Sequence, residues 1–223
     1  MSHEIDSLIV YVHGAFASKR SWNFIQKQVN RSIRNKATHA EIFFEYDLQE
    51  QDAFVILVNL VESIRSSIKI KKPRKVILVG HSFGGVLCVA ASRELDHDRE
   101  LNIDSAAITM SAPFNGAKIA SIVTMFTPSS TFFMNISHNS QFMWNFKHKK
   151  LTCPTHSFVT TQGRVKWIAG ENDGVVTLES QLHFKLDPLN TIDVIDVNHF
   201  EILLSDNVAA RIVSEVIPIK VAA

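Results

Sequence analysis

The chain has 223 residues, 46% hydrophobic and 20% charged, which suits one compact domain with a sizeable core and is too apolar for disorder. Its 23 basic and 22 acidic side chains leave a formal net charge of +1, so no overall field favours nucleic acid or an anionic membrane. Two cysteines, Cys88 and Cys153, are too few for a disulfide framework, and no apolar run approaches the roughly 20 residues of a membrane span. Met1-Ser2-His3-Glu4-Ile5-Asp6 lacks the basic segment of a secretory signal, so the expected location is the cytoplasm.

Leu8-Ile9-Val10-Tyr11-Val12 reads as a strand that ends abruptly at His13-Gly14. Residues 21–33 read as an amphipathic helix with Trp22, Ile25, Val29 and Ile33 on one face. Ile42-Phe43-Phe44 is a second strand, and Phe54, Leu57, Val58, Val61 and Ile64 form a helical stripe closed off by Pro73. Val76-Ile77-Leu78-Val79 is a buried strand running into Gly80-His81-Ser82-Phe83-Gly84-Gly85 and an apolar helix. Ala106-Ala107-Ile108-Thr109-Met110, Val165-Lys166-Trp167-Ile168 and Ile192-Asp193-Val194-Ile195 are further strand candidates, and Phe200 to Val216 reads mainly as helix. Apolar strands alternating with helices argue for an α/β fold, a mostly parallel sheet covered on both faces, in a single domain spanning residues 1–223.

One region interrupts the alternation. Between Ser111 and Thr155 there is no strand signal, yet Phe114, Ile119, Phe132, Phe133, Met143, Trp144 and Phe146 make the segment strongly apolar. It reads either as core lying outside the sheet or as a helical cap, about residues 114–150, whose apolar face meets a substrate. Phe114, Phe132, Phe133 and Met143 are the candidate substrate-binding side chains; Phe and Met suit that use, since thioether side chains adapt to varied apolar shapes.

Gly-x-Ser-x-Gly at the end of a buried strand and before a helix is the sequence of a nucleophile elbow. The alternative is a Gly-rich turn of the kind that joins strands to helices in many α/β proteins. A serine hydroxyl needs a base to take its proton, and the base needs a third group to fix its tautomer. His199 follows the strand at Ile192–Val197 and precedes the last helix, placing it on the sheet edge where ligands of open α/β sheets bind. Asp173, in the turn Glu171-Asn172-Asp173-Gly174, belongs to the same edge, with Glu171 as its nearest rival and Asp187, Asp193 and Asp196 fitting less well. His13 and His81 flank glycines at other strand ends and read as structural. Backbone N–H groups of Phe83, after the serine, and Ala15, in the loop after the first strand, are the candidate oxyanion donors.

With these pieces in order, the chain resembles the lipase/esterase branch of the α/β-hydrolase superfamily, in particular bacterial lipases and the inositol-lipid deacylases related to them. The matching segments are Tyr11-Val12-His13-Gly14 with Trp22 shortly after, Val79-Gly80-His81-Ser82-Phe83-Gly84-Gly85, Ser111-Ala112-Pro113-Phe114-Asn115-Gly116, Asn172-Asp173-Gly174-Val175-Val176 and Asn198-His199-Phe200. They span nearly the whole chain in the family order, Ser82 then Asp173 then His199. Two departures stand out. Phe114 occupies a position where such lipases often carry His, and the two strands that open the family's full sheet are missing. The resemblance therefore implies a minimal α/β-hydrolase core of about six strands. It implies Ser82, Asp173 and His199 as the catalytic set, no cofactor, no metal and a small-molecule or lipid ester as substrate. A thioesterase, an amidase or a phospholipid deacylase would use the same residues, and a non-hydrolytic ligand-binding protein would keep the fold alone. Transient contact with a lipid surface is compatible with the sequence; the oligomeric state is not encoded in any motif.

Overall fold

The computed structural model describes residues 4–33, 38–47, 51–98, 100–116, 136–166 and 168–216. Strands β1 (Ile5–Val12), β2 (His39–Phe44), β3 (Pro73–His81), β4 (Asp104–Met110), β5 (Thr155–Thr160) and β6 (Asn190–Ile195) form one six-stranded sheet in the order β2-β1-β3-β4-β5-β6. All neighbouring pairs are parallel. Helices α1 (Asn23–Ser32) and α6 (Asp206–Val216) cover one face, and α2 (Ala53–Lys71) and α3 (Phe83–Asp96) cover the other. Two short helices, α4 (Gln141–Lys147) and α5 (Leu178–Gln181), lie in the longer connections.

The alternation of side chains along β1 divides the core in two. Leu8, Val10 and Val12 pack with Leu78 and with Ile56, Leu60 and Ile64 of α2 on one face. Ile9 and Tyr11 pack with Val79, Trp22, Ile25 of α1 and Ile212 of α6 on the other. β1 and β3 are buried on both faces over Leu8–Val12 and Val76–Val79, which is why these stretches read as continuous apolar runs. Asp52 caps α2, accepting from the Phe54 N–H at 2.8 Å, and the helix ends on left-handed Lys72 (φ 45°) just before Pro73 starts β3.

One expected strand is displaced. Val165 and Ile168 lie in a loop, and the strand between β4 and β6 is Thr155–Thr160, six consecutive buried residues of which four are polar or histidine. Asn172 organises that loop, accepting from the Val165 N–H (3.0 Å) and donating to the carbonyls of Val165 (3.2 Å) and Gly170 (3.0 Å). The last helix also differs: a 3₁₀ turn over Glu201–Leu204 precedes α6. Among the described residues no helix is long and apolar enough to cross a membrane.

The chain steps from β1 outward to β2, then returns to place β3 on the other side of β1. This reversal makes the carboxyl ends of β1 and β3 the topological switch point, where an open α/β sheet leaves a crevice.

Candidate active site

Ser82 stands at that crevice, between β3 and α3. Its backbone has φ 53° and ψ −124°, a region that non-glycine residues avoid and that persists only when neighbours enforce it. Here they do. The Ser82 N–H donates to the Met110 carbonyl at the end of β4 (2.8 Å), and the Gly85 N–H donates to the Ser82 carbonyl (2.9 Å) to open α3. Gly84 makes the packing possible, since a Cβ there would lie 2.1 Å from the Val12 carbonyl oxygen. The hydroxyl is thereby carried at the N-terminus of α3, where the helix dipole favours negative charge.

The loop after β1 closes over the same point. A Cβ on Gly14 would come 3.1 Å from that of Ser82. His13 is tied on every side: its Nδ1 donates to the Gly14 carbonyl (2.8 Å), and its Nε2 accepts from the Tyr46 N–H (3.3 Å). Its own carbonyl accepts from the Tyr46 hydroxyl (2.6 Å), and the two rings stack with centroids 4.3 Å apart. Burial pushes the His13 pKa down, consistent with a neutral ring whose tautomer is set by these two partners. Ala15, half-buried, follows in this clamped loop.

Asp173 and His199 meet across the sheet edge, with His199 Nδ1 donating to Asp173 Oδ2 at 2.8 Å. Both side chains are almost fully buried. The Asp173 carboxylate collects five donors. Oδ1 accepts from the N–H groups of Val175 (3.0 Å) and Val176 (2.7 Å), and Oδ2 accepts from His199, Thr160 Oγ1 (2.6 Å) and Gln181 Nε2 (3.2 Å). Burial alone would raise its pKa, but hydrogen bonds from His199, Thr160 and Val176 outweigh it and hold the carboxyl below its ordinary value. Because the single Thr160 proton goes to the carboxylate, the 2.8 Å pair between Ser111 and Thr160 has Ser111 as donor.

The structure thus joins Asp173 to His199 and sets Ser82 one residue from His81, whose Nε2 lies 2.8 Å from the His199 carbonyl oxygen. No hydrogen bond links Ser82 Oγ to His199 among the described residues. Glu171, the rival acid, is exposed, and Asp193 pairs with His156 instead (2.9 Å). Phe114 and Met143 are buried core side chains, Phe114 packing on Phe146 and Phe184, while Phe132 and Phe133 lie outside the described residues. Thr160, Gln181, Tyr46 and the His81 contact escape sequence reasoning. Thr160 ends a strand with little hydropathy signal, and Gln181 and Tyr46 belong to no motif. Among the described residues no three His, Cys, Asp or Glu side chains are grouped to hold a metal ion.

Comparison with curated proteins gives no match. Among solved structures, a gene product of Listeria innocua superposes with a TM-score of 0.67 at 12% identity, over 96% of this chain and 95% of that one. A lipase-esterase related protein from Clostridium acetobutylicum gives 0.63 at 13% identity, over 96% of each chain. Phospholipase PlaB from Legionella pneumophila gives 0.60 at 11% identity over 80% of this chain, which spans only 46% of that one's length. At these identities the likeness is one of fold. The family model for the alpha/beta hydrolase family matches residues 9–146, more than half of the sequence, and the chain belongs to that family.

Proposed function

We propose that the chain is a serine hydrolase cleaving carboxylic esters of lipophilic acyl groups through an acyl-enzyme. The observation that carries the reading is the buried 2.8 Å pair of Asp173 and His199, held at the same sheet edge as the strained Ser82 turn. Asp173 fixes His199 with Nδ1 protonated, leaving Nε2 as the base. His199 takes the Ser82 proton as Oγ attacks the ester carbonyl, and the N–H groups of Ala15 and Phe83 receive the oxyanion. His199 then returns the proton to the leaving alcohol, and a water activated by the same imidazole releases the acid. Apolar surface beside the site supports a lipophilic substrate: Phe16, next to Ala15, is 61% exposed, and Phe200, next to His199, is 65% exposed.

The test is a series of p-nitrophenyl esters of increasing chain length, run beside a thioester and an anilide, with Ser82→Ala as control. The expected result is ester turnover that improves with chain length and is abolished in Ser82→Ala, with an organophosphonate adduct on Ser82 in the parent protein. Equal turnover by Ser82→Ala would remove the reading, and a preference for the thioester or anilide would change the bond while keeping the residues.

A further inference from the structure

Three of the four polar atoms of His199 are held. Its N–H donates to the Asp173 carbonyl (3.1 Å), its Nδ1 donates to Asp173 Oδ2 (2.8 Å), and its carbonyl oxygen lies 2.8 Å from His81 Nε2. Two of these ties come from Asp173 and connect His199 to its own side of the sheet edge. Only the third reaches the strand that carries Ser82. Elsewhere in the loop, Asn198 Oδ1 accepts from the N–H groups of Phe200 (2.9 Å) and Glu201 (3.0 Å), and the Gln162 N–H after β5 donates to the Val197 carbonyl (3.1 Å); none of these hydrogen bonds reaches β3, against which Ile202 only packs.

The tautomer of His81 follows from its partner. A carbonyl oxygen only accepts, so Nε2 must carry the proton and Nδ1 the lone pair. Nδ1 is buried without a hydrogen-bond partner among the described residues, and it lies against Gly14 beside the Ser82 Cβ. The imidazole is 3% exposed, and its ring centroid is 4.9 Å from that of His199. A buried polar group whose second nitrogen goes unsatisfied is retained at a cost, and the bond made by the first nitrogen is what it contributes.

Resting on the reading of Ser82, Asp173 and His199 as a triad, we infer that His81 is a positioning residue whose Nε2–H bond to the His199 carbonyl sets the spacing between nucleophile and base. His81 touches neither substrate nor the reacting atoms. It acts by keeping the open Nε2 of His199 aimed at the residue that follows His81 itself. An error of about 1 Å in such an alignment costs on the order of 100-fold in rate.

The two amide side chains separate this role from mere packing. The Nε2 of Gln reaches about as far from the backbone as the Nε2 of His, whereas the amide nitrogen of Asn reaches only about as far as Nδ1. His81→Gln should keep kcat within about three-fold of the parent, while His81→Asn should lose about 100-fold in kcat with KM nearly unchanged. Phosphonate labelling of Ser82 should slow in the same proportion. A His81→Asn protein with parental kcat overturns the inference, as does equal loss in both variants with both folded by circular dichroism. Ser82→Ala is measured alongside. If it is dead and His81→Asn is not, only the positioning role falls; if Ser82→Ala turns over ester like the parent, the triad reading falls and takes this role with it. A measurement on the unmodified protein does not depend on any variant folding. In ¹⁵N-histidine NMR spectra, His81 should show a protonated Nε2 and an unprotonated Nδ1, and the reverse tautomer overturns the inference.

Discussion

Asp173 is surrounded by donors on both oxygens, and that crowding has a consequence for substitution. Asp173→Asn replaces an acceptor oxygen by an NH₂ group facing His199, Thr160 and Gln181, so the Nδ1–H tautomer of His199 loses its partner. Wrong-tautomer variants of such sets fall by about 10⁴ in kcat. Asp173→Asn is therefore expected to be nearly inactive in the ester assay while Glu171→Gln stays active, and the opposite pattern would move the acid to Glu171. His81 makes a second prediction at this scale. Burial and then the neighbouring His199 depress its pKa from 6.5 to about 3, with His13 adding to the depression and Asp173 and the bond to the His199 carbonyl opposing it. Between those values the unfolded chain takes up a proton that the folded chain refuses. The stability from this group is whole above the unfolded pKa of 6.5 and is lost as pH falls towards about 3. The slope is about 1.4 kcal/mol per pH unit. Urea midpoints should decline on acidification below the ordinary His range and decline less steeply in His81→Gln, which has nothing to titrate there. Equal slopes in both proteins would mean that His81 does not stay neutral.

Elements explain which parts of the site could be read in advance. Each of the apolar strands β1, β3 and β4 has its sequence run in the sheet, and the elbow declares itself because glycines flank a serine where a buried run stops. β5 was illegible for a physical reason. Its hydroxyls are satisfied by neighbouring strands and connections, Thr109 Oγ1 donating to Ser157 Oγ (3.2 Å), Ser157 Oγ to Asn190 Oδ1 (2.9 Å) and Thr160 Oγ1 to Asp173 Oδ2 (2.6 Å), so an interior strand carries a surface-like sequence. Val165 and Ile168 are apolar and strand-like in sequence, yet their backbone groups are committed to the Asn172 loop. Asp173 and His199 could be placed because each sits in a turn next to a recognisable run. The supports of the loop after β1 could not, since Tyr46 lies 33 residues from the His13 that it holds. Tyr46→Phe removes the donor to the His13 carbonyl and keeps the stacked ring. It should lower kcat on the order of ten-fold with a smaller effect on KM, because the loop loses alignment while binding surface is retained. Unchanged kcat would show that the loop keeps its place without the hydroxyl.

At the scale of the molecule, the connection between β4 and β5 returns to the sheet through contacts of core type. Phe142 of α4 packs edge-on against Phe54 of α2 (5.2 Å between centroids) and near Phe83 of α3 (5.9 Å), so this helix is fastened to the helix that follows Ser82. Arg93, on α3, donates to the carbonyls of Phe146 (3.0 Å), Lys149 (2.7 Å) and Lys150 (2.9 Å), and its guanidinium lies 4.7 Å from the centroid of the Phe146 ring. These bonds tie α3 to the last turn of α4 and to the residues just after it. Phe114, at the start of the connection, and Met143, near its end, are 1% and 0% exposed in the same core. Truncating either should therefore act first on stability. Leu, Met and Phe to Ala changes at such depth cost about 2–5 kcal/mol, because the cavity left behind collapses only partly. Phe114→Ala and Met143→Ala should each lower the unfolding free energy from urea titration by that order, and turnover of short and long esters by the protein that remains folded should fall in parallel. Should chain-length preference shift while the midpoint holds, these two side chains face the acyl group, and the ends of the connection that carry them act as a selective cap.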